Sequence, residues 1–328
     1  MTLEEKRYRQ TVNAIGISAI GFLALLFLRS RVLALVSLLL GTSMRSYLIA
    51  YHLVGGVLYA AMFCLPVLLF YKLVPKTERA PMHLEWQMPR GTLLCVFFGV
   101  AVVLSCAYLN GMLIRLFEQL IPVEPLPPLE EELPTANYEL VLMLFSSAVV
   151  PAFAEEFFFR GMVLENLRPY GRTTAILWSA LLFGLMHQSA DQIFYTVMAG
   201  VVIGWVYVRT ESIWPCVLLH FVNNFTSVLT NAFEARLPHS TYVVLSYTVD
   251  GVIFLAGLIC GIFLFLSERD HRAALRAEGA FERALPPSAE YAPVSIPPIR
   301  RFQLFFSVPM IIYIVVCIAT MLGLFTYF

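Results

Sequence analysis

Apolar runs dominate this chain, and short polar breaks separate them. The runs cover roughly 11–28, 48–71, 91–117, 138–167, 172–188, 191–208, 212–232, 241–267 and 302–328. Each is near the length that carries a helix across a bilayer, about 17–25 residues. The pattern predicts an all-α fold, a polytopic transmembrane helix bundle of about eight to nine spans. Val32–Leu40 is too short to cross, and reads either as a re-entrant piece or as part of a long, bent first helix. The same pattern divides the chain into N-terminal transmembrane helices (1–137), a helical core (138–267), a linker (268–301) and a C-terminal transmembrane helix (302–328). The linker carries Pro286, Pro287, Pro293, Pro297 and Pro298 and reads as a tether for the last helix.

Loop charges orient the bundle, because cytoplasmic loops are enriched in Lys and Arg. Lys6, Arg7 and Arg9 precede the first span, and Lys72, Lys76, Arg79 and Arg90 follow the second. Arg269, Arg272, Arg276, Arg283, Arg300 and Arg301 sit in the linker. With nine spans all three groups fall on one side, which is then cytoplasmic. The proline-rich, acidic loop from Glu118 to Asn137 falls outside. Arg29, Arg31 and Arg45 run against this arrangement, since they lie on the outer side.

Composition agrees with a membrane chain. Of 328 residues, 59% are hydrophobic and only 13% charged, against about 25% charged in soluble domains. The net charge is zero, so nothing marks nucleic acid as a partner; the bilayer is the partner that the composition implies. The first apolar run lacks a small-residue cleavage site, so it reads as a span rather than a removed leader. Cys64, Cys95, Cys106, Cys216, Cys260 and Cys317 all fall in apolar runs with no CxxC pair. They are expected to pack as small apolar side chains rather than form disulfides or a cysteine-type zinc site.

Against this background, a few polar residues stand out. Glu155 and Glu156 are adjacent within Val149–Leu164, with Arg160 four residues after the second. A charge at the centre of a membrane helix costs about 2.5–3.5 kcal/mol on insertion scales. The next apolar run ends in Phe183-Gly-Leu-Met-His187, and a later one holds His220-Phe-Val-Asn-Asn224. The run between them, 191–208, offers only Tyr195 and Tyr207 and reads as scaffold. Asp250 is a further intramembrane acid, read as structural with no partner identified.

Helix arithmetic places these groups at one depth. If a tight turn at Arg168–Gly171 joins two spans, Glu155 lies about 18 Å above it and His187 about 22 Å. If the span from Ser212 starts on the same side, His220 lies about 12 Å in and Asn224 about 18 Å. Glu156 and Arg160 share a helix face as an i, i+4 pair, as do His220 and Asn224. Glu155 points about 100° away from Glu156 and is free to act. Pro151 cannot donate to the Ser147 carbonyl, so the helix is open to a kink there. Singly, each group has a structural reading: a helix-end histidine, an interhelical hydrogen bond, a proton or cation site. Their common depth on three helices favours one site.

A carboxylate beside a histidine can take a proton from water, and a second histidine with an asparagine can donate to a developing oxyanion. The set suits hydrolysis of an acyl bond, such as a peptide bond, without a covalent intermediate; no GxSxG motif accompanies it. No cofactor is required. Zinc is the one metal the set would accept, through Glu155, His187 and His220, although there is no HExxH and asparagine is a poor zinc ligand.

These motifs carry a resemblance. Glu155-Glu156-x-x-x-Arg160, Phe183-x-x-x-His187 and His220-x-x-x-Asn224, in this order on successive membrane helices, resemble the three motifs of the CPBP family. That family includes the type II CAAX prenyl endopeptidases and bacterial Abi-like relatives. The resemblance covers about 138–232. It implies a catalytic core of four consecutive helices and an intramembrane endopeptidase in a bacterial plasma membrane, with its cavity open to the cytoplasm. It implies a peptide or protein substrate, CAAX-type prenylated ones included. It also implies Glu155 as the base that activates water, supported by Glu156 and Arg160. His187 would join Glu155 at the water, and His220 with Asn224 would bind the oxyanion. The family is commonly called metalloproteases, yet its chemistry is also described as metal-free. Two other classes are compatible with the polar residues. One is an ion- or proton-coupled transporter using the glutamate pair, against which no internal repeat is found. The other is a non-enzymatic immunity or scaffold protein of the membrane.

Overall fold

Every long apolar run folds as helix. The structure, a computed structural model, describes residues 1–40, 44–89, 91–120, 136–277 and 296–324, and no strand occurs among them. Ten helices follow: α1 (Leu3–Leu40), α2 (Met44–Leu73), α3 (Thr92–Leu120), α4 (Asn137–Tyr170), α5 (Arg172–Met186), α6 (Ile193–Thr210), α7 (Trp214–Arg236), α8 (His239–Ala277), α9 (Pro298–Phe305) and α10 (Val308–Met321). Val32–Leu40 is part of one continuous 38-residue α1, which resolves the choice between a re-entrant piece and a long helix. Most of the acidic loop and most of the linker, residues 121–135 and 278–295, lie outside the described residues.

Six helices are long and apolar enough to cross a membrane, and a seventh crossing results if α9 and α10 count as one span bent by 69°. The chain is an integral, multi-pass membrane protein. The lower count than eight to nine has two local causes. α5 is only 15 residues long, about 22 Å at 1.5 Å per residue, short of a ~30 Å hydrocarbon core. α7 has the length, at 23 residues, but it holds polar residues including His220, Asn223 and Asn224.

The core is one cluster of buried apolar side chains drawn from α1 through α7 and from α9 and α10. α2 runs parallel to α4, as ordered contacts show: His52 meets Ser146 at 2.8 Å, Tyr59 meets Glu155 at 2.5 Å, and the Phe63 ring lies 5.8 Å from that of Phe158. α7 runs antiparallel to α4, with Asn224 on Ser147 and His220 on Glu156. At the far end of α4 the chain reverses at Gly171, whose φ of +132° suits glycine. Buried Glu165 braces this turn, 3.3 Å from Arg168 and 3.5 Å from His83, and Arg168 reaches Glu211 at 2.5 Å. The α2–α3 connection is fastened to the same end, since the Ala80 amide donates to Asn166 Oδ1 at 2.9 Å and Trp214 Nε1 to the Leu84 carbonyl at 3.1 Å.

The C-terminal helices, whose role the sequence left open, close over α5. Phe305 stacks on Trp178 with centroids 3.6 Å apart, and Arg301 donates to the Tyr170 carbonyl. α8 is different. Only 6% of its apolar window is buried inside the protein, so lipid surrounds most of it, and it packs mainly on α3. There the Tyr108 hydroxyl donates to Asp250, the partner that the sequence did not reveal.

α5 and α6 approach closely at Gly200, where an added Cβ would lie 2.8 Å from Ala180 Cα. Small residues let membrane helices pack backbone to backbone. We expect Gly200→Ala to separate the two helices at an overpacking cost of about 1–3 kcal/mol. Thermal unfolding in detergent should show it as a lowered Tm; an unchanged Tm would mean that the contact yields freely.

Candidate active site

The polar residues singled out in the sequence converge at the middle of α4. Glu155 and Glu156 are 2% and 0% exposed, and Arg160 is 0%. α4 is not a uniform α-helix here. Two π-helical stretches, Leu144–Val149 and Phe157–Leu164, flank the α-helical turn Val150–Glu156. The Val150 amide donates to the Phe145 carbonyl, five residues back. π-helical turns of this kind concentrate at functional sites. Pro151 denies the Ser147 carbonyl its ordinary helical donor, and the Asn224 side chain supplies one instead, with Nδ2 3.1 Å from that oxygen.

Glu156 is the held carboxylate, and its Oε1 does the holding. Arg160 Nη1 donates to it at 2.9 Å and His220 Nδ1 at 2.7 Å. Arg160 also donates from Nη2 to the Gly200 carbonyl at 3.1 Å, and its guanidinium lies 4.9 Å from the centroid of Phe183. One ion pair therefore ties α4 to α5, α6 and α7. The expectation for His220 is corrected in one respect: its bonded partner is Glu156, not Glu155.

Glu155 is anchored by one oxygen only. The Tyr59 hydroxyl on α2 donates to Oε1 at 2.5 Å, while Oε2 is buried with no hydrogen-bond partner among the described residues. The expectation that this carboxylate is free holds for one oxygen and fails for the other. Glu155, His187, His220 and Asn224 line a common cavity of about 60 Å³, together with Phe183, Tyr195 and Asn223. One ordered water needs about 10–15 Å³ of such space, so the cavity has room for water beside the carboxylate.

The histidines present the same ring atom to the cavity. His187 Nδ1 donates to the Phe183 carbonyl at 2.8 Å; the carbonyl can only accept, which assigns the proton to Nδ1 and leaves Nε2 as acceptor in the neutral ring. His220 spends Nδ1 on Glu156 and also keeps Nε2. Such anchored imidazoles are common metal ligands. Yet no group of three His, Cys, Asp or Glu side chains among the described residues is placed to hold a metal ion, so Glu155, His187 and His220 do not fit zinc as they stand. No step below is routed through one.

Two polar residues of the cavity were not anticipated. Tyr195, read as scaffold, donates to Asn223 Oδ1 at 3.0 Å, and Asn223 Nδ2 donates to Asn224 Oδ1 at 3.1 Å. This relay fixes the Asn224 amide, whose Nδ2 keeps one N–H beyond the bond to Ser147. Adjacency to Asn224 was the only signal for Asn223. For Tyr59, the signal was a hydroxyl in the middle of an apolar span.

A paired and an unpaired carboxylate, two oriented histidines and an asparagine, sealed in a membrane bundle, define a site of the intramembrane hydrolase class. Residues 137–226 match the family model of the type II CAAX prenyl endopeptidases, Rce1-like, and on this match the chain belongs to the CPBP family of CAAX-type membrane proteases. The matched segment contains α4, α5, α6 and most of α7; α1, α2, α3 and α8 to α10 lie outside it. No curated protein matches the chain, and no solved structure does.

Proposed function

We propose that the chain is an intramembrane endopeptidase that hydrolyses a peptide bond with water activated by Glu155. The observation that carries this reading is the asymmetry of the two glutamates. Glu156 is committed to Arg160 and His220, whereas Glu155 keeps an unpartnered oxygen and lines a cavity with His187. A water in that cavity would donate one hydrogen to Glu155 Oε2 and the other to His187 Nε2, which turns its lone pair to the scissile carbonyl. Glu155 takes the proton as the C–O bond forms. The remaining Asn224 N–H and a protonated His220 Nε2, with Glu156 as counter-ion, donate to the oxyanion. Collapse breaks the C–N bond, and Glu155 returns its proton to the leaving amine.

The substrate class follows from the family: a membrane-associated protein or peptide, with CAAX-type prenylated tails as the first candidates. Loop charge places the opening of the site on the cytoplasmic side of a bacterial plasma membrane. A cleavage screen of matched farnesylated and unmodified peptides in proteoliposomes tests the reading. We expect cleavage of at least the farnesylated peptide, and no cleavage of any peptide would overturn it. Metal dependence has its own test. Elemental analysis of purified protein should give no stoichiometric zinc; one zinc per chain that disappears with His187→Ala would replace Glu155 alone with a metal-bound water.

A further inference from the structure

We infer that Tyr59 is a positioning residue for the base: it holds Glu155 by Oε1 and reserves Oε2 for the water. The inference rests on the reading of Glu155 as the base. It comes from α2, an element outside the matched segment 137–226, so that segment alone does not supply the whole site.

The geometry is specific. The Tyr59 hydroxyl is the one donor to Glu155 found among the described residues, at 2.5 Å, and charge-assisted O–H···O bonds are short and strong. A glutamate has three rotatable bonds, and an unanchored carboxylate would sample orientations in which neither oxygen faces the cavity. One fixed oxygen removes most of that freedom and makes the two oxygens inequivalent. The phenol is itself fixed. Its ring packs 5.1 Å from Phe63, and the Arg29 guanidinium of α1 lies 5.7 Å from its centroid. One turn earlier on the same face, Gly56 lets α2 approach α4, since a Cβ there would lie 2.9 Å from the Phe145 ring. Three helices thus contribute in sequence: Arg29 steadies Tyr59, and Tyr59 steadies Glu155. The other polar groups around the base are His187, His220 and Asn224 in the cavity, and none of them bonds Oε1.

The test uses the full chain in proteoliposomes with a fluorescence-quenched farnesylated CAAX peptide. Tyr59→Phe keeps the ring and removes the hydroxyl. We expect kcat to fall about tenfold with KM within about twofold, because the lost bond orients the base rather than binding substrate. Fluorinated tyrosines at position 59 keep shape and hydroxyl, and kcat should then vary with phenol acidity, which a packing role would not produce. Tyr59→Phe with wild-type kcat, or a kcat indifferent to phenol acidity, overturns the inference. Glu155→Gln separates the two levels. If it is inactive while Tyr59→Phe is wild type, only the role of Tyr59 fails; if it retains full activity, the reading of Glu155 fails first. Should Tyr59→Phe not fold, the fluorotyrosine series decides alone.

Discussion

Glu155→Gln is expected to abolish peptide cleavage without loss of the fold. Glutamine keeps an oxygen for the Tyr59 hydroxyl and fills the same volume, but it cannot take a proton from water. A positioned general base contributes about 10²–10⁴-fold, so kcat should fall by at least that much. Stability should be unchanged or improved. The carboxylate is 2% exposed and leaves Oε2 without a partner among the described residues, and removing a poorly satisfied buried charge often stabilises. The measurement pairs single-turnover cleavage with thermal unfolding in detergent. A variant that cleaves at the wild-type rate sinks the assignment of the base.

Arg160→Met is expected to do the opposite damage: it should break the fold and, through it, activity. Arg160 is fully buried and bonds Glu156 at 2.9 Å and the Gly200 carbonyl at 3.1 Å. Removing it strands the Glu156 charge in the bundle centre with only His220 as counter-ion. Breaking a buried pair by deleting one partner costs about 3–5 kcal/mol. Arg160→Lys should recover little, because a single ammonium cannot reproduce the fork that reaches both a carboxylate and a carbonyl on another helix. Removing both charges with Glu156→Leu and Arg160→Met should restore much of the stability lost in the single variant, but no cleavage, since His220 would lose its anchor. Unfolding temperatures of the three variants measure this. A single Arg160→Met variant as stable as wild type would mean that the pair is not the joint between α4 and its neighbours.

Local spacing made part of this site readable in advance. Glu156 and Arg160 are one turn apart, and an i, i+4 relation survives almost any helical geometry, so their pairing followed from the sequence. The depth argument also located His187, His220 and Asn224 near Glu155, since depth depends only on rise and turn position. Direction was harder. Which glutamate His220 would meet depends on rotation about the α4 axis, and two π-helical stretches change that rotation. Tyr59 was out of reach because it meets Glu155 through parallel packing of α2 on α4, a contact across 96 positions with no local signature. The span count failed at α5 and α7 for a related reason. Helices that carry the chemistry are shortened or made polar by it, so the apolar pattern is weakest where the function lies.

The wide turns of α4 also fix its phase. A hydrogen bond to the fifth residue back, as Val150 makes to Phe145, takes up one residue more than an α-turn does. Deleting one residue from Leu144–Val149 is the simplest return to α-helical pairing, and it would keep every motif intact in the sequence. Yet each residue of an α-helix accounts for about 100° of rotation. Everything after the deletion would turn by that angle relative to Asn137 and the start of the span, carrying Glu155 away from α2 and Glu156 away from α7. The stretch before the motif is thus a spacer whose length is counted in degrees: it aims the glutamates, while the motif only names them.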